Sequence, residues 1–289
     1  MSKKKVFVTR PDFPQCGIKL LEEKFNVHYN PEPHDVSKDY LLQHIKGAEA
    51  LFCISTDKIT KEVLEAAGDR FKGAANAANP ISVSVVAEFT IGLLLAVSRK
   101  IVTAAGAIQR GEWIESWTPD WFCFFLASSA TLTGIYSWVS KVYYYDIFSP
   151  ISAAEEKGAH FTTFDRLLMN SDYVIVTCNL TEENRGMFDT KAFSLMKPDA
   201  VFINTSRGGV VQQDALIEAL KNKRIRAAAI DVMYPEPLPK DHELLTLPNV
   251  VVTPHIAAAE ETAMERLSTL TAENIIAVLE GRKPLTPVY

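Results

Sequence analysis

The sequence predicts an α/β protein made of two open parallel sheets, on three observations. Short β-rich runs alternate with amphipathic stretches of helical period in both halves of the chain, the pattern of parallel strands joined by helical crossovers. The 289 residues, 47% of them hydrophobic, are enough for two domains with cores of their own. The residues that follow the later strands are rich in groups that bind anions or move protons, as expected at the carboxyl edge of an open sheet.

Val6–Thr9 reads as the first strand and Gln15–Phe25 as a helix with Ile18, Leu21 and Phe25 on one face. Val27–Tyr29 and Ala50–Ile54 are the next strands, each followed by a helix, at Val36–Ile45 and Thr60–Ala67. Residues 73–80, GAANAANP, read as a small-residue loop closed by proline. From Val85 to Gln109 the pattern is one long helix, apolar nearly all round and therefore expected between layers. Trp113, Trp117 and Trp121, with Pro119 among them, follow without a clean period and read as an irregular aromatic segment. Thr131–Ile135 and Lys141–Tyr145 are short strands. Tyr173–Cys178, Ala200–Asn204, Ala227–Val232 and Val250–Thr253 are four clearer ones, with helices at about 190–196 and 213–222 between them. The last helix, Glu260 to Glu280, stops at Gly281 and leaves Arg282–Tyr289 as an extended tail. The expected division is a first domain over 1–84, completed by 282–289, and a second over 85–281.

Composition excludes several classes of function. Thirty Lys and Arg against thirty-five Asp and Glu leave a net charge of −5, so there is no broad cationic surface for a phosphate backbone, and nucleic acid is not an expected partner. The start, MSKKKVFVTRPDF, carries only three apolar residues before Thr9 and Arg10 and reads as a strand, not an export signal. The most apolar stretch, Val85–Val97, contains Glu88 and Thr90 and falls short of the roughly 20 residues that cross a bilayer. Four cysteines, at 16, 53, 123 and 178, form no CxxC pair and stand at no metal spacing. Reduced thiols, a cytoplasmic location and no metal are expected.

The strand ends gather the chemistry. Cys178, Asn179, Leu180 and Thr181 follow one strand, and Thr205, Ser206, Arg207 and Gly208 the next. Asp231 follows the third, with Glu236 a short loop later, and His255 follows the fourth. A carboxylate beside a histidine orients the imidazole and suits it to exchange a proton, and Glu236, stiffened between Pro235 and Pro237, is placed to do this for His255. An arginine fork at 207, among the backbone N–H groups of residues 206–209, matches a carboxylate at two points. The trio points to a small 2-oxo or 2-hydroxy acid. Each residue also has an ordinary structural reading: packing for His255, a solvated charge for Arg207, a turn cap for Asp231.

With these segments on view, VAEFTIGLLLAVSRK (86–100), SDYVIVTCNLTEENRGMF (171–188), AVFINTSRGGVVQQDALIEAL (200–220), AAAIDVMYPEPLP (227–239) and LLTLPNVVVTPHI (244–256), the chain resembles the D-isomer-specific 2-hydroxyacid dehydrogenases, closest to the glyoxylate/hydroxypyruvate reductase branch. The resemblance implies two Rossmann/flavodoxin-like domains and hydride transfer between NAD or NADP and a small 2-oxo/2-hydroxy acid. It implies that Arg207 binds the substrate carboxylate, that His255 is the proton donor in the reducing direction, and that Glu236 is its partner. Asp231 would meet the nicotinamide amide, and Asn179 and Thr205 would line the cofactor. SWTPDW (116–121) is similar to a loop that reaches the neighbouring subunit's site, which implies a homodimer and makes Trp121 a candidate for shaping the substrate pocket.

The sequence departs from the family pattern at glycine-dependent positions. The fingerprint GxGxxG, expected after Thr131–Ile135, is not there; the chain runs TLTGIYSWVSKVYYYDIF, with only Ser137–Ser140 before the next strand. Two parallel strands need a crossover of about a dozen residues or more, so four cannot hold a phosphate-binding helix, and the dinucleotide-binding domain reads as shortened. Asp146 still follows YYY as a ribose-binding acid would, which favours NAD over NADP, and it also reads as a turn residue before Pro150. GAANAAN replaces the family's Val-Gly-x-Asp substrate loop, and Ala257-Ala258 replaces the Gly-Ser after His-Ile. Two readings therefore stand: a hydroxypyruvate/glyoxylate reductase, and a non-catalytic shortened relative that keeps the scaffold as a binding or structural protein.

Overall fold

The computed structural model describes residues 3–32, 36–54, 57–76, 83–112, 141–147 and 150–287. They form two compact units, one of residues 1–85 with 258–289 and one of residues 86–257.

The first unit carries a parallel four-stranded sheet in the order β2-β1-β3-β4, made of β1 (Lys5–Val8), β2 (Asn26–Tyr29), β3 (Ala50–Cys53) and β4 (Gly73–Asn76). Its central strands β1 and β3 are short runs buried on both faces, which is why they read as nearly continuous apolar segments, while the edge strand β2 is at most half-buried. Val6, Val8, Ala50 and Phe52 pack with α1 (Gln15–Lys24) and α10 (Glu261–Leu279) on one face. Phe7, Leu51 and Cys53 pack with α2 (Lys38–His44) and α3 (Lys61–Ala67) on the other. Residues 73–76, expected in a loop, extend the sheet instead: Ala74 and Ala75 pair with Leu51 and Phe52, and the alanines gave no β-branched signal.

The sequence expectation put the last helix in the second domain, whereas the structure groups it with the first unit. The reason is a close approach to α1. The Ser268 hydroxyl donates to Pro14 O at 2.6 Å, and a Cβ built on Gly17 would lie 2.1 Å from Ser268 O. Gly17→Ala is expected to destabilise this unit by about 1–3 kcal/mol through overpacking, seen as a lowered Tm. Gly92→Ala, at an open helical position with nothing within 4 Å, should be neutral or slightly stabilising.

The second unit holds a parallel sheet ordered β10-β9-β8-β7, made of β7 (Tyr173–Val176), β8 (Val201–Asn204), β9 (Ala227–Ile230) and β10 (Val250–Val252). Side chains alternate across it. Phe202, Ala228 and Ile230 join the core formed with α7 (Phe164–Asn170), α8 (Thr190–Leu195) and α9 (Gln213–Lys221). Val201, Ile203, Ala227 and Ala229 face Leu93 and Val97 of α4 (Val83–Ser98). A separate parallel pair joins β5 (Val142–Tyr144) to β6 (Ala159–Phe161), with the short α6 (Ser152–Glu155) between them. Among the described residues β5 and β7 do not pair. The expected strand Thr131–Ile135, the four-residue connection after it and the tryptophan segment all lie in 113–140, outside the described residues.

The long helix of the sequence reading is two. α4 ends at Ser98, Lys100 takes a left-handed conformation at φ 51°, and α5 (Ile101–Gln109) restarts. No glycine or proline marks this break; only the polar Ser98-Arg99-Lys100 interrupts the apolar pattern there, and such residues continue a helix as readily as they end one. Nor is the pair buried between layers. Leu93 and Val97 are covered, while Ile91, Ile101, Val102 and Ile108 are exposed, Ile101 and Val102 at 54% each. Among the described residues no helix is long and apolar enough to cross a membrane.

Candidate active site

In the second unit the residues after the strands converge on one rim. Asp231 follows β9 and is wholly buried, where an ionised carboxylate needs donors. It has three: Oδ1 accepts from the Thr253 hydroxyl at 2.6 Å and the Ile256 N–H at 3.0 Å, and Oδ2 accepts from the Ala257 N–H at 2.8 Å. These donors bracket His255, whose φ of 57° is costly for a residue with a Cβ. Asp231 therefore holds the turn that presents the histidine. Thr253, which the sequence reading took only as a strand end, belongs to this clamp.

His255 Nδ1 stands 2.9 Å from Glu236 Oε2, with the two side chains 48% and 35% exposed. The other carboxylate oxygen, Oε1, accepts from the Met233 N–H at 2.8 Å, which fixes the plane of the carboxyl group. A carboxylate at Nδ1 keeps the proton there and leaves Nε2 as the nitrogen free to give or take one.

Arg207 sits beyond β8 on a loop fastened from within. Asn204 Nδ2 donates to Arg207 O at 3.0 Å, and Asn204 Oδ1 accepts from the Ser206 N–H at 3.0 Å and the Ser206 hydroxyl at 2.9 Å. Of the backbone N–H groups at 206–209 among which the fork was expected, that of Ser206 is thus already used. The guanidinium is exposed and donates from Nη1 to Ser206 O at 2.6 Å, and no carboxylate of the described residues pairs with it. Its fork remains available to an acid from outside. Gly208 ties this loop to the other: a Cβ there would lie 2.1 Å from Met233 O, so the backbone after Arg207 runs directly against the segment carrying Glu236.

The remaining sequence candidates are placed as follows. Thr205 is buried, and its Oγ1 lies 2.7 Å from Thr90 Oγ1. Thr90 spends its own proton on Val86 O at 2.6 Å, so Thr205 donates to Thr90 and keeps only acceptor capacity. Asn179 is exposed beyond β7, with its carbonyl accepting from Asn184 Nδ2 at 2.6 Å. Asp146 is half-buried beyond β5. Burial pushes the Cys178 thiol up, and the negative charge of Asp146 adds to that. Trp121 lies outside the described residues. His255, Glu236, Asp231 and the Arg207 loop are joined by direct contacts. Gly208 and Thr253, which join them, carry no chemical signature that singles them out in the sequence.

Residues 129–257 match the family described as D-isomer specific 2-hydroxyacid dehydrogenase, NAD binding domain. Similar curated proteins include a glyoxylate reductase of Thermofilum pendens, 35% identical with 98% of this chain and 94% of that protein covered. Another is a glyoxylate reductase of Thermococcus litoralis, 34% identical with 98% and 96% covered. The first alignment runs over 323 positions, more than the 289 residues here, so the relative carries internal stretches without a counterpart in this chain. Among solved structures, the TT0316 protein of Thermus thermophilus superposes with a TM-score of 0.86 at 29% identity, over 99% of this chain and all of that one. A putative D-isomer specific 2-hydroxyacid dehydrogenase from Polaromonas gives 0.89 at 25% identity over the whole of both chains.

Proposed function

The chain belongs to the D-isomer specific 2-hydroxyacid dehydrogenase family, and from that premise we propose that it is an NAD(P)H-dependent reductase of glyoxylate or hydroxypyruvate. The observation that carries the reading is the His255–Glu236 pair at 2.9 Å, with the loop of Glu236 in backbone contact with that of Arg207. Arg207 would take the substrate carboxylate in its fork, holding the 2-oxo group in a fixed relation to the imidazole. His255 Nε2 would give its proton to the carbonyl oxygen as negative charge develops there, and Glu236 would stabilise the cation while His255 is protonated.

The strand-end chemistry fits a nicotinamide dinucleotide. Asp231 uses three of about four acceptor sites on its own chain and is wholly buried, so it would meet a carboxamide N–H only where the cofactor's approach uncovers the fourth. Thr205 retains acceptor lone pairs, Asn179 offers an exposed amide, and Asp146 offers a carboxylate suited to a ribose diol. When bound, the cofactor would supply the hydride for the carbonyl carbon. Trp121 is retained as a candidate for pocket shape.

A homodimer is part of the proposal, supported by the exposed apolar side chains Ile91, Ile101, Val102 and Ile108 on α4 and α5. A cytoplasmic location is supported by the free thiols of Cys16, Cys53 and Cys178.

The test follows oxidation of NADH and NADPH by purified protein with glyoxylate and with hydroxypyruvate, alongside direct binding of each cofactor and sedimentation of the same sample. Turnover with at least one pair of substrates, by a dimer, is expected. Folded protein that binds neither cofactor at millimolar concentration would overturn the reductase and leave the non-catalytic relative. That second reading is favoured by one observation, the missing glycine fingerprint in a chain shorter than its alignment to a relative.

A further inference from the structure

The loop that carries Glu236 has an unusual tethering problem. Of its residues 233–237, Pro235 and Pro237 have no N–H, so turn or sheet hydrogen bonds cannot hold it in the ordinary way. Two of the three available N–H groups go to side chains. Met233 N–H goes to Glu236 itself at 2.8 Å, and Tyr234 N–H goes to Gln213 Oε1 at 3.1 Å. The first bond lies within the loop and cannot anchor it. The second ties the loop to the first residue of α9, a helix whose Ala215, Leu216, Ile217, Ala219 and Leu220 are buried in the core of the second unit. The far end of Gln213 adds no bond: His242 Nδ1 accepts from the Leu244 N–H at 3.2 Å, so its Nε2 carries the proton, and the Gln213 NH2 group facing it at 3.1 Å is a donor as well. The Tyr234 side chain is 73% exposed and contributes little packing of its own, so the hydrogen bond at its backbone matters more.

We propose that Gln213 is a positioning residue for proton transfer: its amide oxygen, carried at the start of α9, fixes the proline-flanked loop so that Glu236 stays within hydrogen-bond reach of His255. This rests on the reading of His255 and Glu236 as the proton-transfer pair. Gln213 touches neither the imidazole nor the carboxylate; it acts through the backbone of Tyr234. Loss of the tether lets the carboxylate drift, and displacements of about 1 Å at a reacting group cost up to about 10²-fold in rate. The Arg207 fork lies on a different loop, which has its own fastening through Asn204 besides the contact of Gly208 with Met233.

The experiment compares the whole protein with Gln213→Leu and Gln213→Glu. Gln213→Leu keeps the size and removes the acceptor. It is expected to lower kcat by about 10- to 10²-fold with KM for the 2-oxo acid changed less than about twofold, and to speed hydrogen exchange at the Tyr234 amide. Gln213→Glu restores an acceptor for Tyr234 and offers a second oxygen to the protonated nitrogen of His242, so it should return both readings toward wild type. Wild-type kcat in Gln213→Leu, or a Gln213→Glu variant as slow as Gln213→Leu, would overturn the proposal. If Gln213→Leu does not fold, Gln213→Glu decides: slow Tyr234 exchange with near-wild-type kcat supports the tether, and fast exchange with near-wild-type kcat overturns it. Absence of turnover in the wild type would sink the reductase reading by itself, while Tyr234 exchange in the variants still reports the tether.

Discussion

Replacing His255 by Gln is expected to lower turnover by roughly 10²–10⁴-fold, the usual size of a general acid-base contribution. Gln retains polarity and approximate volume but cannot deliver a proton to the carbonyl oxygen. Substrate binding through Arg207 should survive, because the Arg207 loop is fastened by Asn204 and not by the imidazole. The loss should therefore fall on kcat, with KM for the 2-oxo acid changed little. Glu236→Gln should cost less, since the imidazole keeps its place on the Asp231-clamped turn and loses only its charged partner. The ranking His255 over Glu236 in steady-state kinetics is the check. A His255→Gln protein keeping more than about a tenth of the wild-type rate would assign the proton donor elsewhere.

That ranking could be argued from the sequence, because a histidine, a carboxylate and an arginine at successive strand ends are chemically conspicuous. The strands are equally legible: β7 to β10 read as short apolar runs at regular intervals, and the central two, β8 and β9, are buried on both faces. What did not read out is what depends on space and not on composition. β4 is made of Gly73, Ala74, Ala75 and Asn76, residues with no preference for a strand, and exists because β3 offers an edge to pair with. The break at Lys100 is carried by a backbone angle on a residue that does not advertise it. The last helix went to the wrong unit because an amphipathic stretch states that it packs, not against which sheet; Gly17 against Ser268 settles that, and the two lie 251 positions apart. In the site, the role of Asp231 as an anchor of the histidine turn follows from three donors at 253, 256 and 257 that only folding brings to it.

The same spatial logic gives the second large effect, at Gly208. A methyl group there would meet Met233 O at 2.1 Å, Met233 C at 2.2 Å and Met233 Cα at 2.7 Å. All three are backbone atoms, which cannot swing aside as a side chain would, so one of two segments must move. One is the loop after β8, which carries Arg207; the other is the segment before Pro235, whose Met233 N–H fixes Glu236. Either displacement separates the group that would bind the acid from the group that would orient its proton donor. The φ of Gly208 is not in the left-handed region, so the demand for glycine is one of space alone. Overpacking should cost about 1–3 kcal/mol of stability, whereas a shift of about 1 Å between acting groups costs up to about 10²-fold in rate. Gly208→Ala is therefore expected to lose about 10²-fold in kcat/KM while unfolding only slightly earlier on heating. Gly209→Ala supplies the control. Its nearest neighbour is the tip of the Leu180 side chain at 2.9 Å, which can rotate away, and neither Arg207 nor Glu236 need move. Kinetics and Tm of the two variants side by side decide the point, and a Gly209→Ala protein as impaired as Gly208→Ala would show that the close approach to Met233 does not set the geometry of the site.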